Sequence, residues 1–271
     1  MKGRTKSIIT ISLIATIGVI SCKKDGGINF FTLSQDREFG EQMDEQIRSN
    51  PTEFPLLDPL QDKETIDYIQ GMFDHVLTSS EIKHRNDFDW KVTVIEKDVV
   101  NAFATPGGKI YIYTGLISFL KNGAELAGVV AHEVAHSDRR HSTQQMTKVY
   151  GFQILLDIIL GKDKTMAEQI GKDLGTGLAT LAFSREHEYE ADEYAVRYLA
   201  SGNKYSPIAM KGFFEKMMGS KKPNGEMWEF LKTHPSDEKR MEAMQSVYNS
   251  LPSKGSSDVD QNNFDKIQAL Y

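Results

Sequence analysis

The stretch AELAGVVAHEVAHSDRRH, residues 124–141, decides how the rest of the chain is interpreted. It is apolar almost throughout until it places His132 and His136 four residues apart, with Glu133 beside the first. Residues at that spacing lie one turn apart on the same face of an α-helix. Two imidazoles so placed can bind one metal ion, and zinc accepts nitrogen ligands. Glu133 can then face a water molecule at the metal without being a ligand itself.

The residues before the motif indicate that its helix is buried. Asn122 is a suitable N-cap, and Glu125 occupies the position of a capping box. The segment LAGVVA, residues 126–131, predicts that the helix enters a hydrophobic core, where unpaired polar groups are costly. The other interpretation, a helix with two surface histidines, is disfavoured by this apolar flank.

Two histidines leave a catalytic zinc site incomplete, because such sites usually have three protein ligands and one open position. The segment SREHEYEADE, residues 184–193, places Glu188 and Asp192 four apart on one helix face. We assign Glu188 as the third ligand. Asp192 would then accept a hydrogen bond from a ligand histidine, with His132 as the favoured donor, and fix its tautomer. Spacing alone leaves three competing assignments open, namely Glu186, His187 and Glu190.

The periodicity of the remaining segments predicts an α+β fold, with a small β-sheet followed by a helical body. The apolar segment GFQILLDIIL, residues 151–160, is interpreted as a buried helix packed on the zinc helix, or alternatively as a lid over the cleft. The last residues, 252–271, are rich in Ser, Gly and Asp and predict a disordered tail. Helices are predicted over 34–50, 62–79 and most of 122–250, and strands over 90–96 and 108–115.

The N-terminus has the pattern of a bacterial lipoprotein signal. Three basic residues within 1–6 precede an uncharged run, residues 7–20, that is short for a membrane span and typical of a secretory signal. Val19-Ile20-Ser21-Cys22 resembles the lipobox. We therefore predict a signal peptide over 1–21, a lipid on Cys22 and a tether over 22–32. The alternative is an ordinary signal peptide or short anchor with an incidental cysteine.

Composition limits the classes of function. The chain has 271 residues, of which 39% are hydrophobic, so it can form one sizeable core. The formal net charge is -6 and no basic stripe with aromatic residues occurs, so we expect no nucleic-acid partner. The single cysteine excludes an internal disulfide framework.

The combined motifs resemble those of the HtpX-like and CAAX-prenyl-protease-like zinc metallopeptidases. The strand and turn in NAFATPGGKIYIYTGLI, residues 101–117, precede the motif His132-Glu-x-x-His136. Glu188-x-x-x-Asp192 and then THPSDEKR, residues 233–240, follow it. The likeness extends from about Leu33 to about Leu251 and is closest to the soluble envelope branch. It implies a mainly helical, zincin-like domain over 33–251 that binds one zinc ion. It also implies that Glu188 is the third ligand.

The resemblance further implies metal-assisted hydrolysis of peptide bonds. Glu133 would act as the general base, and zinc would activate water and polarise the scissile carbonyl. We expect His234 to stabilise the oxyanion, supported by Arg240. Two other interpretations of His234 stay open, a fourth zinc ligand that closes the site and a helix-boundary residue before Pro235. His75, His84 and His141 are interpreted as surface or structural residues.

The expected substrates are polypeptides, and the expected location is the bacterial cell envelope. There the protein would be lipid-anchored, in the outer membrane facing the periplasm. KIYIYTG, residues 109–115, is expected to be an exposed edge strand to which an extended substrate could pair, with an ordinary core strand as the alternative. The functional hypothesis is quality control of misfolded or unassembled envelope proteins. The second hypothesis is a zinc-stabilised binding or chaperone-like lipoprotein with a latent site.

Overall fold

The computed structural model of the chain describes residues 29–175, 182–219, 229–235 and 238–271. The predicted signal peptide, residues 1–21, and the predicted lipidated residue Cys22 lie outside these ranges. The predicted tether, residues 22–32, is described only from residue 29 onward. Among the described residues, no helix is both long enough and apolar enough to cross a bilayer.

Within the described ranges the protein is mainly helical and contains one small sheet, so the predicted α+β fold is confirmed. The part of the chain that contains the sheet forms α1 (Leu33–Arg48), α2 (Lys63–Leu77), β1 (Lys91–Ile95), β2 (Ala102–Thr105), a 3-10 turn (Pro106–Gly108) and β3 (Lys109–Tyr113). The helical body that follows forms α3 (Thr114–Phe119), α4 (Gly123–Asp138), α5 (His141–Tyr150), α6 (Phe152–Ile159), α7 (Lys164–Gly175), α8 (Arg185–Gly202), α9 (Met210–Gly219), α10 (Glu229–Thr233), α11 (Glu238–Ser250) and α12 (Gln261–Gln268).

The sheet has the strand order β1-β3-β2, in which β3 pairs in parallel with β1 and antiparallel with β2. β3 is therefore the central strand, and the expectation that KIYIYTG forms an exposed edge is wrong. Alternation of residues along one segment cannot reveal strand order, because order depends on pairing between segments. The strand at the edge next to α4 is β2.

The turn between β2 and β3 is where α1 packs directly onto the sheet. Gly107 has a φ of 74°, in the left-handed region that favours glycine. A Cβ at Gly107 would lie 2.8 Å from Cα of Arg37, and a Cβ at Gly40 would lie 2.1 Å from the carbonyl oxygen of Pro106. Glycine on both sides of this contact therefore allows α1 and the turn to approach backbone to backbone.

Side chains of β3 alternate between two hydrophobic clusters on opposite faces of the sheet. Ile110 and Ile112 belong to the larger cluster, to which α2, α4, α8 and α9 contribute. Tyr111 and Tyr113 belong to the smaller cluster, to which α1, α6 and α7 contribute. The sheet is thus covered by helices on both faces.

The helix that carries the motif, α4, is buried along all of its 16 residues. Asn122 caps it by accepting a hydrogen bond from the amide of Glu125, at 2.9 Å. The Glu125 carboxylate accepts from the amide of Lys121, at 2.8 Å, rather than from Asn122, so the predicted capping box forms in a shifted version. Gly128 lets α9 approach, since a Cβ there would lie 2.7 Å from Cβ of Met210. The predicted burial of this helix is therefore confirmed.

The apolar segment 151–160 forms α6, but its main contacts differ from the expectation. It packs against α1, α5 and α7 rather than principally against α4. Leu155 and Ile158 are buried in the smaller cluster, whereas Phe152 and Leu160 are exposed. The core side chains of α6 thus lie on the opposite face of the sheet from those of α4.

The C-terminal residues 252–271 are ordered, which corrects the prediction of a disordered tail. Helix α12 buries Phe264 and Ile267 in the larger cluster. Asp260 accepts a hydrogen bond from the hydroxyl of Tyr68, at 2.8 Å. The side-chain amide nitrogen of Gln268 lies within hydrogen-bond distance of three carbonyl oxygens at the C-terminal end of α3. The polar composition concealed this docking, because two apolar residues three apart suffice to attach a short helix.

Replacing Phe264 by Ala should lower the free energy of unfolding by about 3 kcal/mol, because it removes a fully buried aromatic side chain. Urea unfolding followed by circular dichroism measures this change. The matched control is Leu270→Ala, whose side chain is 55% exposed and should alter stability by less than about 0.5 kcal/mol. Equal stability of the two variants would show that α12 does not dock.

Candidate metal centre

Four buried side chains converge between α4 and α8, and each offers one atom that could bind a metal ion. Their potential ligand atoms all lie within 4.8 Å of one another. The Nε2 atoms of His132 and His136 are 3.0 Å apart, and Oε1 of Glu188 lies 3.5 Å from Nε2 of His136. Nδ1 of His234 lies 3.0 Å from Oε1 of Glu188. The structure thus brings together the three predicted ligands and His234.

The local sequence explains this convergence. His132 and His136 project from successive turns of α4, which packs closely along α8. Ser184 caps α8 by accepting a hydrogen bond from the amide of His187, at 3.2 Å. The first turns of α8 therefore begin at a fixed point, and Glu188 enters the gap beside the two histidines.

The residues present fit a zinc ion. Imidazole nitrogens and a carboxylate oxygen are the donors that zinc accepts in catalytic sites. Beside them, Glu133 is fully buried, and within the described part of the chain neither of its carboxylate oxygens has a hydrogen-bond partner. A buried carboxylate without a partner is costly, so the pocket is suited to a cation and a water molecule rather than to apolar packing. The donor set and the unpartnered carboxylate together indicate a catalytic metal site.

A second layer of charged groups orients the ligands. Oδ1 of Asp192 lies 3.0 Å from Nδ1 of His132, which is the contact that the sequence analysis expected. The Arg240 guanidinium donates two hydrogen bonds to Asp192, both at 2.7 Å, and its Nη1 lies 2.6 Å from Oε2 of Glu188. Arg240 also donates to the carbonyl of Pro235, at 2.9 Å. This arginine therefore pairs with two carboxylates of the site and with the backbone next to His234.

The charges in this cluster shift the pKa values of its members. Burial alone would lower the pKa of His132, but Asp192 and Glu188 outweigh it and raise that pKa to about 9. Burial alone would raise the pKa of Glu188, but Arg240 and His234 hold it well below its usual range. The cluster thus favours a cation next to Glu188, and a metal ion would compete with the proton of His132 for that place.

Glu133 and His234 face each other across the site. Oε1 of Glu133 lies 3.5 Å from Nε2 of His234. Burial raises the pKa of Glu133, which makes its carboxylate a stronger base than an exposed one. Phe230 stacks on the ring of His234 with centroids 4.5 Å apart and holds its orientation.

A partly open cleft adjoins His234 and the edge of the sheet. Tyr113 donates its amide to the carbonyl of Asn101, so the main-chain groups of Ala102 and Ala104 point away from β3 by antiparallel alternation. Most of the lining is apolar, and it comprises Phe103, Ala104, Ser142, Gln145, Met146, Phe183, Thr233 and His234. The cleft therefore presents a mainly apolar surface next to His234.

Sequence reasoning missed the part that His141 has in this site. The residue is buried, and its Nδ1 lies 3.1 Å from Nδ1 of His136. Its Nε2 lies 3.2 Å from Oε2 of Glu190, one of the residues that competed for the ligand position. A break between α4 and α5 makes this contact possible, because Arg140 adopts a left-handed φ of 65°. The sequence SDRRH contains neither Gly nor Pro at that point, so it did not signal the break.

Asp192→Asn should weaken zinc binding about 10- to 100-fold, because an amide orients the imidazole of His132 less firmly than a carboxylate. Competition with a chromogenic chelator measures the zinc affinity. The matched control is Glu193→Gln on the same helix, whose partner is the surface residue Arg197. Equal zinc affinity of the two variants would contradict the role given to Asp192.

Comparison with known proteins gives the same picture. The chain is 34% identical to the mitochondrial metalloendopeptidase OMA1 of Arabidopsis thaliana over 166 residues, which is 61% of this chain and 32% of that protein. The Schizosaccharomyces pombe protein of the same name is 32% identical over 156 residues, 58% of this chain and 46% of that protein. The β-barrel assembly-enhancing protease of Escherichia coli is 27% identical over 222 residues, 78% of this chain and 43% of that protein.

The chain thus spans less than half the length of these relatives. The sequence model of Peptidase family M48 matches residues 63–247, which include α4, α8 and Arg240. Members of that family use zinc, in agreement with the buried cluster of histidines and glutamate. The chain therefore belongs to peptidase family M48, whose members are zinc metallopeptidases.

Proposed function

We propose that this protein is a zinc-dependent metalloendopeptidase of the bacterial cell envelope that hydrolyses misfolded or unassembled envelope proteins. The observation that carries the proposal is the position of Glu133. Its carboxylate is buried beside the ligand His132, has no hydrogen-bond partner among the described residues and lies opposite His234. A site that only bound metal for stability would gain nothing from this costly arrangement.

His132, His136 and Glu188 would hold the zinc ion. When bound, zinc polarises the scissile carbonyl and makes water acidic enough to be deprotonated near neutral pH. Glu133 accepts a proton from the attacking water on a carboxylate oxygen. The same carboxyl group then donates this proton to the nitrogen of the leaving amine, which completes the hydrolysis of the C–N bond.

His234 is suited to stabilise the negative charge that develops on the carbonyl oxygen. Its Nδ1 lies 3.0 Å from Oε1 of Glu188, which can only accept, and its Nε2 lies 3.5 Å from Glu133. In the imidazolium form, His234 would donate from Nδ1 to Glu188 and direct its Nε2 hydrogen toward the space beside Glu133. Arg240, which we expected in a catalytic role, has contacts that favour positioning. It holds Asp192 and Glu188, and through Pro235 it holds the backbone next to His234.

The cleft beside β2 supports polypeptides as the substrate class. An extended chain could lie in this cleft with an apolar side chain against Phe103, Met146 and Phe183. Recognition of this kind depends on extension and apolar side chains more than on sequence. Unfolded polypeptides offer both features, whereas folded proteins hide them.

The proposed location rests on the lipobox-like sequence that ends at Cys22. If residues 1–21 are removed and Cys22 is lipidated, the domain is held at a membrane in the envelope, most simply at the outer membrane facing the periplasm. The similarity to a protein named β-barrel assembly-enhancing protease supports an envelope setting, although other relatives are mitochondrial. Placement in the soluble envelope lipoprotein branch rests on the same argument, whereas the HtpX-like resemblance rests on the motifs around His132 and Glu188.

The second candidate function is a binding or chaperone-like lipoprotein whose active site is latent. The position of His234 favours it, because this residue lies within reach of the same metal ion as the three ligands. The amide of Phe230 also donates to the carbonyl of Val100, just before the edge strand β2, at 3.1 Å. The segment that carries His234 therefore lies where a substrate would bind.

Glu133→Gln should reduce cleavage of an unfolded protein such as casein by roughly 10²- to 10⁴-fold, because it removes the general base. The variant should retain the fold and the bound zinc, since Glu133 is not in the ligand set. Chelator-sensitive release of peptides measures activity, and metal analysis measures zinc. The exposed residue Glu186, changed to Gln, is the control and should remain active. Undiminished cleavage by Glu133→Gln would contradict the mechanism.

His234→Ala separates the roles of that residue. As an oxyanion donor, its loss should lower turnover by roughly 10²- to 10³-fold with little change in zinc affinity. A fall in zinc affinity with a rise in turnover would instead identify a fourth ligand that closes the site. If both quantities stay unchanged, neither role is correct. Lys232→Ala, a change at a half-exposed residue of α10, is the control for disturbance of this segment.

A further inference from the structure

We propose that His141 and Glu190 form a second support of the metal site, in which Glu190 acts through His141 to fix the tautomer and orientation of the ligand His136. The inference rests on the metal site and the function proposed above. It concerns two residues outside the ligand set, and it assigns them as positioning residues rather than catalytic ones.

The first step is the contact between the two histidines. Nδ1 of His136 and Nδ1 of His141 are 3.1 Å apart, and both rings are buried. Two ring nitrogens at hydrogen-bond distance can share only one hydrogen between them. Nε2 of His136 faces the other ligands, so it must be unprotonated to bind a metal ion. A neutral imidazole carries one N–H, and therefore the hydrogen is on Nδ1 of His136, which donates to His141.

The second step connects His141 to a carboxylate. Since Nδ1 of His141 accepts, the hydrogen of its neutral ring is on Nε2, which lies 3.2 Å from Oε2 of Glu190. The other oxygen of Glu190 accepts a hydrogen bond from Nε of Arg139, at 2.7 Å. The chain of donors thus runs from the ligand to an anion that is itself held by an arginine.

The third step is the break that places His141. If α4 continued without interruption, residue 141 would be rotated about 140° around the helix axis from His136, and their side chains could not meet. The left-handed conformation of Arg140 prevents this, and non-glycine residues adopt it only when their surroundings enforce it. Asp36 stabilises this conformation, because it pairs with the Arg140 guanidinium and accepts a hydrogen bond from the hydroxyl of Thr143, at 2.8 Å.

The two histidines of α4 are each oriented by a carboxylate from α8. Glu188 is the ligand, and Asp192, one turn later, contacts His132 directly. Asp192 serves His132 and is held by Arg240, so His136 needs another partner. Glu190 lies between them in sequence and is directed to the side where His141 bridges the distance to His136. Each supporting carboxylate is paired with an arginine, Arg240 for Asp192 and Arg139 for Glu190.

The test uses the full chain and measures zinc affinity and the visible absorption spectrum of the cobalt-substituted protein. His141→Phe removes both ring nitrogens but keeps a flat ring against His187, whose ring stacks on His141 with centroids 4.3 Å apart. We expect zinc affinity to fall about 10- to 100-fold and the cobalt bands to shift, because His136 loses its acceptor. His141→Asn places an oxygen near the position of Nδ1, and should restore most of the affinity and the spectrum.

The control is His187→Phe, which alters the same stack while its Nε2 contacts Gln144 rather than a ligand. It should leave affinity and spectrum unchanged. Glu190→Gln keeps an acceptor without the charge and should weaken zinc binding about tenfold, which provides a test if His141→Phe fails to fold.

Wild-type affinity and an unshifted spectrum in His141→Phe would overturn the inference, and so would equal losses in the Phe and Asn variants. If Glu190→Gln serves as the test, a zinc affinity of this variant equal to that of the wild type would also overturn the inference. If the wild-type protein binds no zinc, the proposed function itself fails, and this result is distinguishable from the failure of the support alone.

Discussion

The packing of α4 against α8 inside the core is the constraint on which the rest of the structure depends. It sets His132 and His136 opposite Glu188 in a place without access to bulk water. Polar groups buried in this way must find partners or a metal ion, because their desolvation would otherwise oppose folding. Helix α4 is held in place for its contact with α8 by the sheet and the helices that cover it. Gly128 contributes because it lets α9 pack closely on α4. The docking of α12 adds to the same core, so stability and site geometry have a common origin.

Electrostatic balance around the site follows from that burial. Arg240 offsets the charges of Glu188 and Asp192, and Arg139 offsets that of Glu190. With these carboxylates paired, Glu133 is the carboxylate of the cluster whose two oxygens both lack a hydrogen-bond partner among the described residues. The carboxylates that are paired with an arginine thus differ from Glu133, for which we propose the role of general base.

The sequence allowed the residues of α4 and α8 at the candidate site to be predicted, because helical spacing is local. His132 and His136, like Glu188 and Asp192, are four apart, and their shared faces follow from the geometry of one helix. Strand order and helix breaks are not local. The central position of β3 depends on pairing with two other strands, and the left-handed turn at Arg140 depends on Asp36, more than a hundred residues away. For that reason the edge strand was misplaced and His141 was overlooked. Residues 252–271 were expected to be disordered because their composition is mostly polar, and the two apolar residues that dock α12, Phe264 and Ile267, were given too little weight.

The most direct test of the central claim is X-ray diffraction from crystals of the zinc-loaded protein, with anomalous data collected on both sides of the zinc absorption edge. One strong anomalous peak in contact with His132, His136 and Glu188, with Glu133 close by but outside the ligand set, is the result that we predict. A protein whose crystals show no peak at this position, or whose zinc is bound only elsewhere, would contradict the account of the site and of the function built on it.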